Sequence, residues 1–432
     1  MNILNRQQKE AVGLLQIGTF LEYFDLMLYV HMAVLLNELF FPKTDPHTAA
    51  ILAALAFCST YLLRPFGALI FGYIGDTIGR KSTVVLTTIL MSISCIIMAN
   101  LPTYEKIGIA ACWLITLCRV MQGLSSMGEI IGAQIYLTEL IKPPMQYPVV
   151  AFVSVASQSG TMVALAIAAL VTHCGFEWRL AFWIGAGIAM VGSIARVRLR
   201  ETPEFLIAQK QKARKEHSNI ELEETKISKK TLMAFFCINA GAPLSFYLAY
   251  IYFNPLLKQL NYTATDIILH NLWLSLINVV FAIFLSTLSY KVYPLKISKT
   301  IGYLSAGFII FLPYLILRCT HPLHIFLLQA LWIVVSLRPA PSQPILLKAV
   351  PVFNRFKIAS FLYAFSHTLM YVLTSFGLVY LTEWFGYWGI WILALPTITG
   401  FLWGIYHFEK VEGVESRYTN YFKKKAWEFV YD

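Results

Sequence analysis

The fold class predicted from the sequence is an all-α, polytopic membrane protein with twelve transmembrane helices in two pseudo-symmetric six-helix bundles. Three observations predict it. Charged residues make up 13% of the 432 residues and hydrophobic ones 58%, with a mean hydropathy of +0.63, whereas a soluble domain carries about 25% charged residues. Twelve apolar segments approach the roughly 20 residues a helix needs to cross the hydrocarbon core. One long polar stretch, Arg198–Lys230, separates them into two sets of six.

The spans fall at 11–36, 50–73, 83–101, 107–136, 148–172 and 179–197, then 231–257, 267–290, 299–317, 322–347, 357–382 and 385–407. The chain therefore divides into an N-terminal bundle (1–197), a cytoplasmic linker (198–230), a C-terminal bundle (231–407) and a short tail (408–432). Arg6 and Lys9 precede the first apolar segment as they would in a signal peptide. That segment is too long, contains Glu22 and Asp25, and lacks a small-residue cleavage site, so it reads as a retained helix. The linker mixes both charge signs around a short amphipathic helix near Glu204–Lys215. The tail shows no sustained heptad pattern.

Orientation follows from the basic residues. Of the 34 lysines and arginines, Lys43, Lys106, Arg179, Lys258 and Arg318 fall on the outer side, and Arg64, Arg119 and Arg338 lie within spans; all others fall on the inner side. Both termini are thus expected in the cytoplasm. The same distribution accounts for the net charge of +11 without a nucleic-acid surface. The seven cysteines show no C-x-x-C pair or metal-ligand spacing and read as small packing residues. No cofactor is expected, nor an enzyme: nucleophile–base pairs and phosphate loops are missing from the pattern.

Ionisable groups inside spans cost at least ~2.5 kcal/mol on insertion scales, so they call for partners or a function. Glu22, Asp25 and Tyr29 share one face of span 1. Arg64 lies twelve residues before Asp76, about 18 Å along a helix and so near mid-membrane. Arg119, Gln122, Ser126 and Glu129 share a face of span 4. These groups predict a central cluster in which Glu22, Asp25 or Glu129 exchanges a proton and Arg119 modulates it; static ion pairs between helices would use the same residues.

In the second half, Arg338 is followed by Pro339, Pro341 and Pro344, predicting a kinked or unwound span 10. Tyr363 and His367 share a face of span 11, and Asn239 faces inward from span 7. Together with Tyr29, Arg64, Gln122 and Arg338 they are the expected substrate cavity, although packing and interhelical hydrogen bonds would employ the same side chains. Between spans 2 and 3 runs GYIGDTIGRK, residues 72–81. Gly72 and Gly79 permit a tight turn, Asp76 suits a helix terminus, and Arg80 and Lys81 mark the cytoplasmic face.

Residues 72–81 resemble the loop 2–3 signature of the major facilitator superfamily, and Arg119–Gly123 resembles its R-x-x-Q-G motif in helix 4. Finer features are similar to the metabolite:proton symporter branch, which includes proline/betaine, 2-oxoglutarate, citrate and shikimate carriers. They are Gly18 with Glu22-Tyr-Phe-Asp25, Arg64-Pro65-Phe-Gly67, Gly128-Glu129 with Glu139, Trp178-Arg179 and Arg200 through Phe205. The resemblance covers residues 15–205. It implies a rocking carrier in a bacterial inner membrane, with helix 1 and 4 carboxylates in proton coupling. A weaker resemblance is to phagosomal nutrient transporters of intracellular bacteria.

The resemblance also implies a gate in which Asp76 faces the start of helix 11 near Lys357 and Arg80 pairs with Glu139. Departures are concentrated later. The second copy of the hairpin, 288–294, has Tyr290 at the acidic position and Tyr293 at the glycine; Met127 replaces a glycine, Gln146 stands near an expected basic residue, and Lys348 replaces an acidic one.

The function expected from these features is proton-coupled import of a small polar metabolite, an amino acid or other zwitterion ahead of a carboxylate, by a monomer in the bilayer. Drug or metabolite:proton antiport and a non-transporting nutrient sensor are the alternatives. The Ser157–Gly160 stretch lacks the antiporter run, and the degenerate second hairpin is what favours a sensor.

Overall fold

The structure, a computed structural model, describes residues 4–41, 61–174, 177–196, 201–207, 209–210 and 227–413. Within helices, the side chains of 33–35, 37–38, 127–129, 172–174, 188–189, 191–196 and 264 lie outside that description. Most of the linker and nearly all of the tail fall outside it too, so the boundaries at 198, 230 and 408 stay a proposal.

The described chain is helical throughout. The main helices are α1 (Arg6–Phe40), α2 (Arg64–Thr77), α3 (Arg80–Asn100), α4 (Ile109–Leu140), α5 (Gln146–Cys174) and α6 (Trp178–Arg196), then α7 (Lys229–Tyr250), α8 (Ala264–Lys291), α9 (Pro294–Leu317), α10 (Pro322–Val335), α11 (Val352–Val372) and α12 (Ile390–Val411), with shorter ones between them. Nine described segments are long and apolar enough to cross a membrane; the last, Val352–Val411, contains both α11 and α12. Large apolar side chains such as Trp113, Phe311, Leu317 and Trp384 point outward, while Arg64, Arg80 and Arg119 are buried. That inverted arrangement is what lipid as solvent demands.

Local chemistry sets the helix ends. Thr263 and Asp266 form a capping box that starts α8, and Ser228 accepts from the Lys230 amide to start α7. Gly79 turns α2 into α3 at φ 139°, a conformation side chains with a Cβ rarely adopt. The three prolines of span 10 have the expected effect: α10 stops at Val335, and the chain resumes through a 3₁₀ turn, Ala340–Ser342, and a short helix, Gln343–Lys348. The freed carbonyls find side chains. Arg338 Nη2 and Ser336 Oγ both donate to Ile333 O, and Ser305 donates to Val335 O.

Packing groups α1 with α5, α2 with α4 and α3 with α6, and on the other side α7 with α11 and α12, and α9 with α12. Two seams join these sets, α2 against α11 and α5 against α8. Glycines allow the closest approaches. A Cβ at Gly72 would stand 2.7 Å from Lys357 Cα, and one at Gly160 would run into the Phe20 carbonyl of α1.

Gly160→Leu should therefore lower the thermal midpoint by several degrees, since overpacking costs about 1–3 kcal/mol. Gly307→Leu, whose Cβ meets nothing within 4 Å, should leave the midpoint unchanged; equal effects in a melting assay of the purified protein would contradict this packing.

Candidate functional site

A cavity of about 190 Å³ lies between the two sets of helices, lined from α1, α2, α4, α5, α7, α8, α11 and the break after α10. Five residues expected there line it: Arg64, Asn239, Arg338, Tyr363 and His367. Tyr23, Tyr61, Phe246, Tyr250, Asn278, Gln343 and Tyr371 join them. Sequence reasoning missed Tyr61, Phe246, Asn278 and Gln343 altogether.

Tyr29 and Gln122 do not line it. They attend Arg119 instead: Arg119 Nη1 donates to Gln122 Oε1 at 3.0 Å, and its guanidinium lies 4.0 Å from the Tyr29 ring centroid. Gln122 shares a face of α4 with Arg119, and Tyr29 shares a face of α1 with Asp25; both side chains turn into the α1–α3–α4 packing rather than towards the cavity. The described cavity lining therefore includes neither of these two expected residues, because periodicity defines a face and not its neighbour.

Arg64 is 2% exposed, sits 4.4 Å from the Tyr61 ring centroid, and its Nε and Nη2 have no hydrogen-bond partner. Arg338 is fixed by Asn278 Oδ1 at 2.7 Å, by Ile333 O and by the Phe281 ring 5.3 Å away; its Nε is also unpartnered. His367 Nδ1 donates to Tyr363 O at 2.9 Å, leaving Nε2 as an acceptor, and its ring stacks 3.9 Å from that of Tyr363.

The carboxylates of α1 stand off the cavity wall. Glu22 is buried within electrostatic range of Arg64. Asp25 is fully buried against Gly185, with the Cys95 thiol beside it, and neither oxygen meets the geometry of a hydrogen bond. Arg119 likewise keeps Nε and Nη2 without partners. Among the described residues, then, Asp25 and Arg119 are buried opposite charges without a salt bridge to each other. The side chain of Glu129 lies outside the described residues.

At the α2–α3 turn the charges are paired. Asp76 Oδ1 accepts from Phe356 N at 3.1 Å and Arg80 Nη1 at 2.9 Å, and Oδ2 accepts from Lys357 N at 2.8 Å, so the carboxylate receives the first amides of α11. Burial pushes the Asp76 carboxyl up to about 6 while Arg80 and the two amides pull it down, which leaves it ionised at pH 7. Arg80 also donates through Nη2 to Glu139 Oε1 at 3.2 Å and to Val352 O at 2.7 Å. Lys81 contributes its amide, which with that of Arg80 donates to the Glu201 carboxylate. Gly72 and Gly79 make the room, against Lys357 and Glu201 respectively.

Arg355 is the residue sequence reasoning missed here. Its Nη1 donates to Glu139 Oε1 and Glu204 Oε1, both at 3.0 Å, and Thr202 Oγ1 donates to Glu139 Oε2 at 2.7 Å. Glu139 thus serves two guanidiniums, one on α3 and one on α11. The second hairpin closes differently: Tyr293 sets its ring at 6.1 Å from Tyr147 of α5, and Lys299 pairs with Glu409 at 2.8 Å.

Two bundles around a polar cavity, with buried charges at mid-helix, define a helical membrane carrier. Residues 15–337 match the model of the Major Facilitator Superfamily, and the chain belongs to that superfamily, whose members are transporters and not enzymes. It is 34% identical over 216 residues to a putative metabolite transport protein of Haemophilus influenzae (48% of each chain). To the proline/betaine transporter of Salmonella typhimurium it is 33% identical over 204 residues (46% of this chain, 41% of that one). The matched region spans about half the length of these relatives. Among solved structures, the proton:xylose symporter bound to 6-bromo-6-deoxy-D-glucose superposes with a TM-score of 0.76 at 15% identity, covering 92% of this chain and 94% of that one. The human organic anion transporter MFSD10 gives 0.68 at 13%, covering 94% and 100%. These two establish the fold alone.

Arg355→Gln and Glu139→Gln should each lower the thermal midpoint, and the double variant should lose little more than the worse single one, since buried charge partners couple by about 0.5–3 kcal/mol. Strictly additive losses would remove Arg355 from the cluster.

Proposed function

We propose that the protein is a proton-coupled importer of a small polar metabolite, working by alternating access in a bacterial inner membrane with both termini cytoplasmic. The observation that supports this most is Asp25. A carboxylate with no exposure and neither oxygen hydrogen-bonded is tolerable when a proton neutralises it, whereas an ionised one needs a cation. Arg119 on α4 is the nearest candidate in kind, a buried cation with spare donors. Two arrangements follow: Asp25 protonated and apart from Arg119, which the unpaired geometry here supports, and Asp25 ionised and paired with it. Glu22 and Glu129 are the further candidates for the coupled proton.

The ionic cluster around Glu139 is the proposed cytoplasmic gate. Its contacts between α2, α3 and α11 exist only while that face is closed, so they bias the equilibrium between the two access states. Asp76, Arg80 and Glu139 carry it, with Arg355 added; Gly72, Gly79 and Lys81 shape the turn. Arg64, Asn239, Arg338, Tyr363 and His367 are the proposed substrate contacts. The second hairpin, though without its acidic and glycine residues, is packed through Tyr293 on Tyr147, which supports a carrier over a sensor.

Asp25→Asn in proteoliposomes should abolish accumulation driven by an imposed proton gradient while retaining exchange of labelled solute at equal concentrations. Gradient-driven accumulation within about threefold of wild type, a difference of roughly 0.7 kcal/mol, would take Asp25 out of the coupling step.

A further inference from the structure

The charge of the cavity wall speaks to the cargo. Among its described lining residues are two permanent cations, Arg64 from the first set of helices and Arg338 from the second, and no carboxylate. Both guanidiniums keep unpartnered donors. Arg338 is held in place by Asn278 and Ile333 O, neither of which neutralises it. Glu22 acts on Arg64 from off the wall.

A zwitterion would need a counterpart for its ammonium group. With no carboxylate among the described lining residues, that counterpart would be an aromatic face. Most of the faces here are engaged. Arg64 covers Tyr61, whose ring also lies 4.1 Å from that of Tyr371; His367 covers Tyr363; Phe246 and Tyr250 pack on each other at 5.2 Å. What the wall offers is guanidinium donors, hydroxyls and amides.

We infer that the substrate is a small organic dianion, a dicarboxylate or a phosphate monoester, whose two negative charges are received by Arg64 and Arg338 from opposite halves of the molecule. Arginine is the side chain suited to both groups, because its planar fork matches carboxylate and phosphate oxygens. Such a ligand bridges the two sets of helices and so stabilises the state in which both close on it. The inference rests on the carrier reading above and turns its substrate order from zwitterion to anion.

The test is ligand binding to the purified full-length protein at pH 7, measured by titration calorimetry. The probes are succinate and glutarate, glycerol 3-phosphate, propionate as a monoanion, and proline and glycine betaine as zwitterions. At least one dianion should bind tenfold or more tightly than propionate and both zwitterions, and which dianion does so separates the dicarboxylate from the phosphate ester. Arg64→Gln and Arg338→Gln should each weaken that dianion on the order of tenfold or more, as loss of a charge-assisted hydrogen bond does. Arg338→Lys, which keeps the charge, should recover part of the loss, a recovery that mere misfolding would not give. Tighter binding of proline or glycine betaine than of every dianion, or dianion binding indifferent to both glutamine variants, would overturn the inference. Dianion binding without gradient-driven uptake would uphold it and remove proton coupling; gradient-driven uptake of a zwitterion alone would do the reverse.

Discussion

Glu139 is the carboxylate on which the closed face depends. Its side chain has no solvent, and it accepts from Arg80, Arg355 and Thr202, which brings α3, α4, the segment after α6 and α11 to one point. A carboxylate so buried is costly unless nearly every lone pair is used. Removing any partner therefore leaves an unsatisfied charge, which makes the cluster cooperative. Cooperative formation or opening is the behaviour the proposed gate requires.

Deeper in the bundle the same physics is left unresolved on purpose. Asp25 and Arg119 are as buried as Glu139 and Arg80, yet they are not joined. One end of the molecule satisfies its charges by pairing across the seam, and the middle holds a carboxylate whose burial, in the proposed cycle, depends on a proton. Coupling between the two is mechanical in this account: α4 carries both Arg119 and Glu139, so a shift that brings Arg119 towards Asp25 also moves Glu139 relative to α11.

Much of this was legible in the sequence, for reasons that can be named. The prolines after Arg338 announced the break in α10, because a missing donor and a ring clash act locally. The glycines and Asp76 announced the turn and its helix-terminus contact for the same reason. Arg355 was not legible: it looks like one more cytoplasmic cation, and only tertiary packing brings it to Glu139. Tyr29 and Gln122 show the opposite case, since periodicity places each on a polar face of its own helix, with Asp25 on α1 and with Arg119 on α4, and says nothing about which helix lies opposite. The aromatic faces that cover one another around the cavity also belong to tertiary structure, and they support the inferred preference for an anion over a zwitterion.

The central claim is that the proton on Asp25 controls closure at the α2–α3 turn. Spin labels at Ile78, exposed at the turn, and at Asn354, exposed at the start of α11, would report the separation by pulsed electron resonance in nanodiscs. The account predicts two distance populations at pH 7.5 that shift towards the shorter one at pH 5.5, with Asp25→Asn holding the short distance at both pH values. A pH-dependent shift that persists unchanged in Asp25→Asn would contradict it.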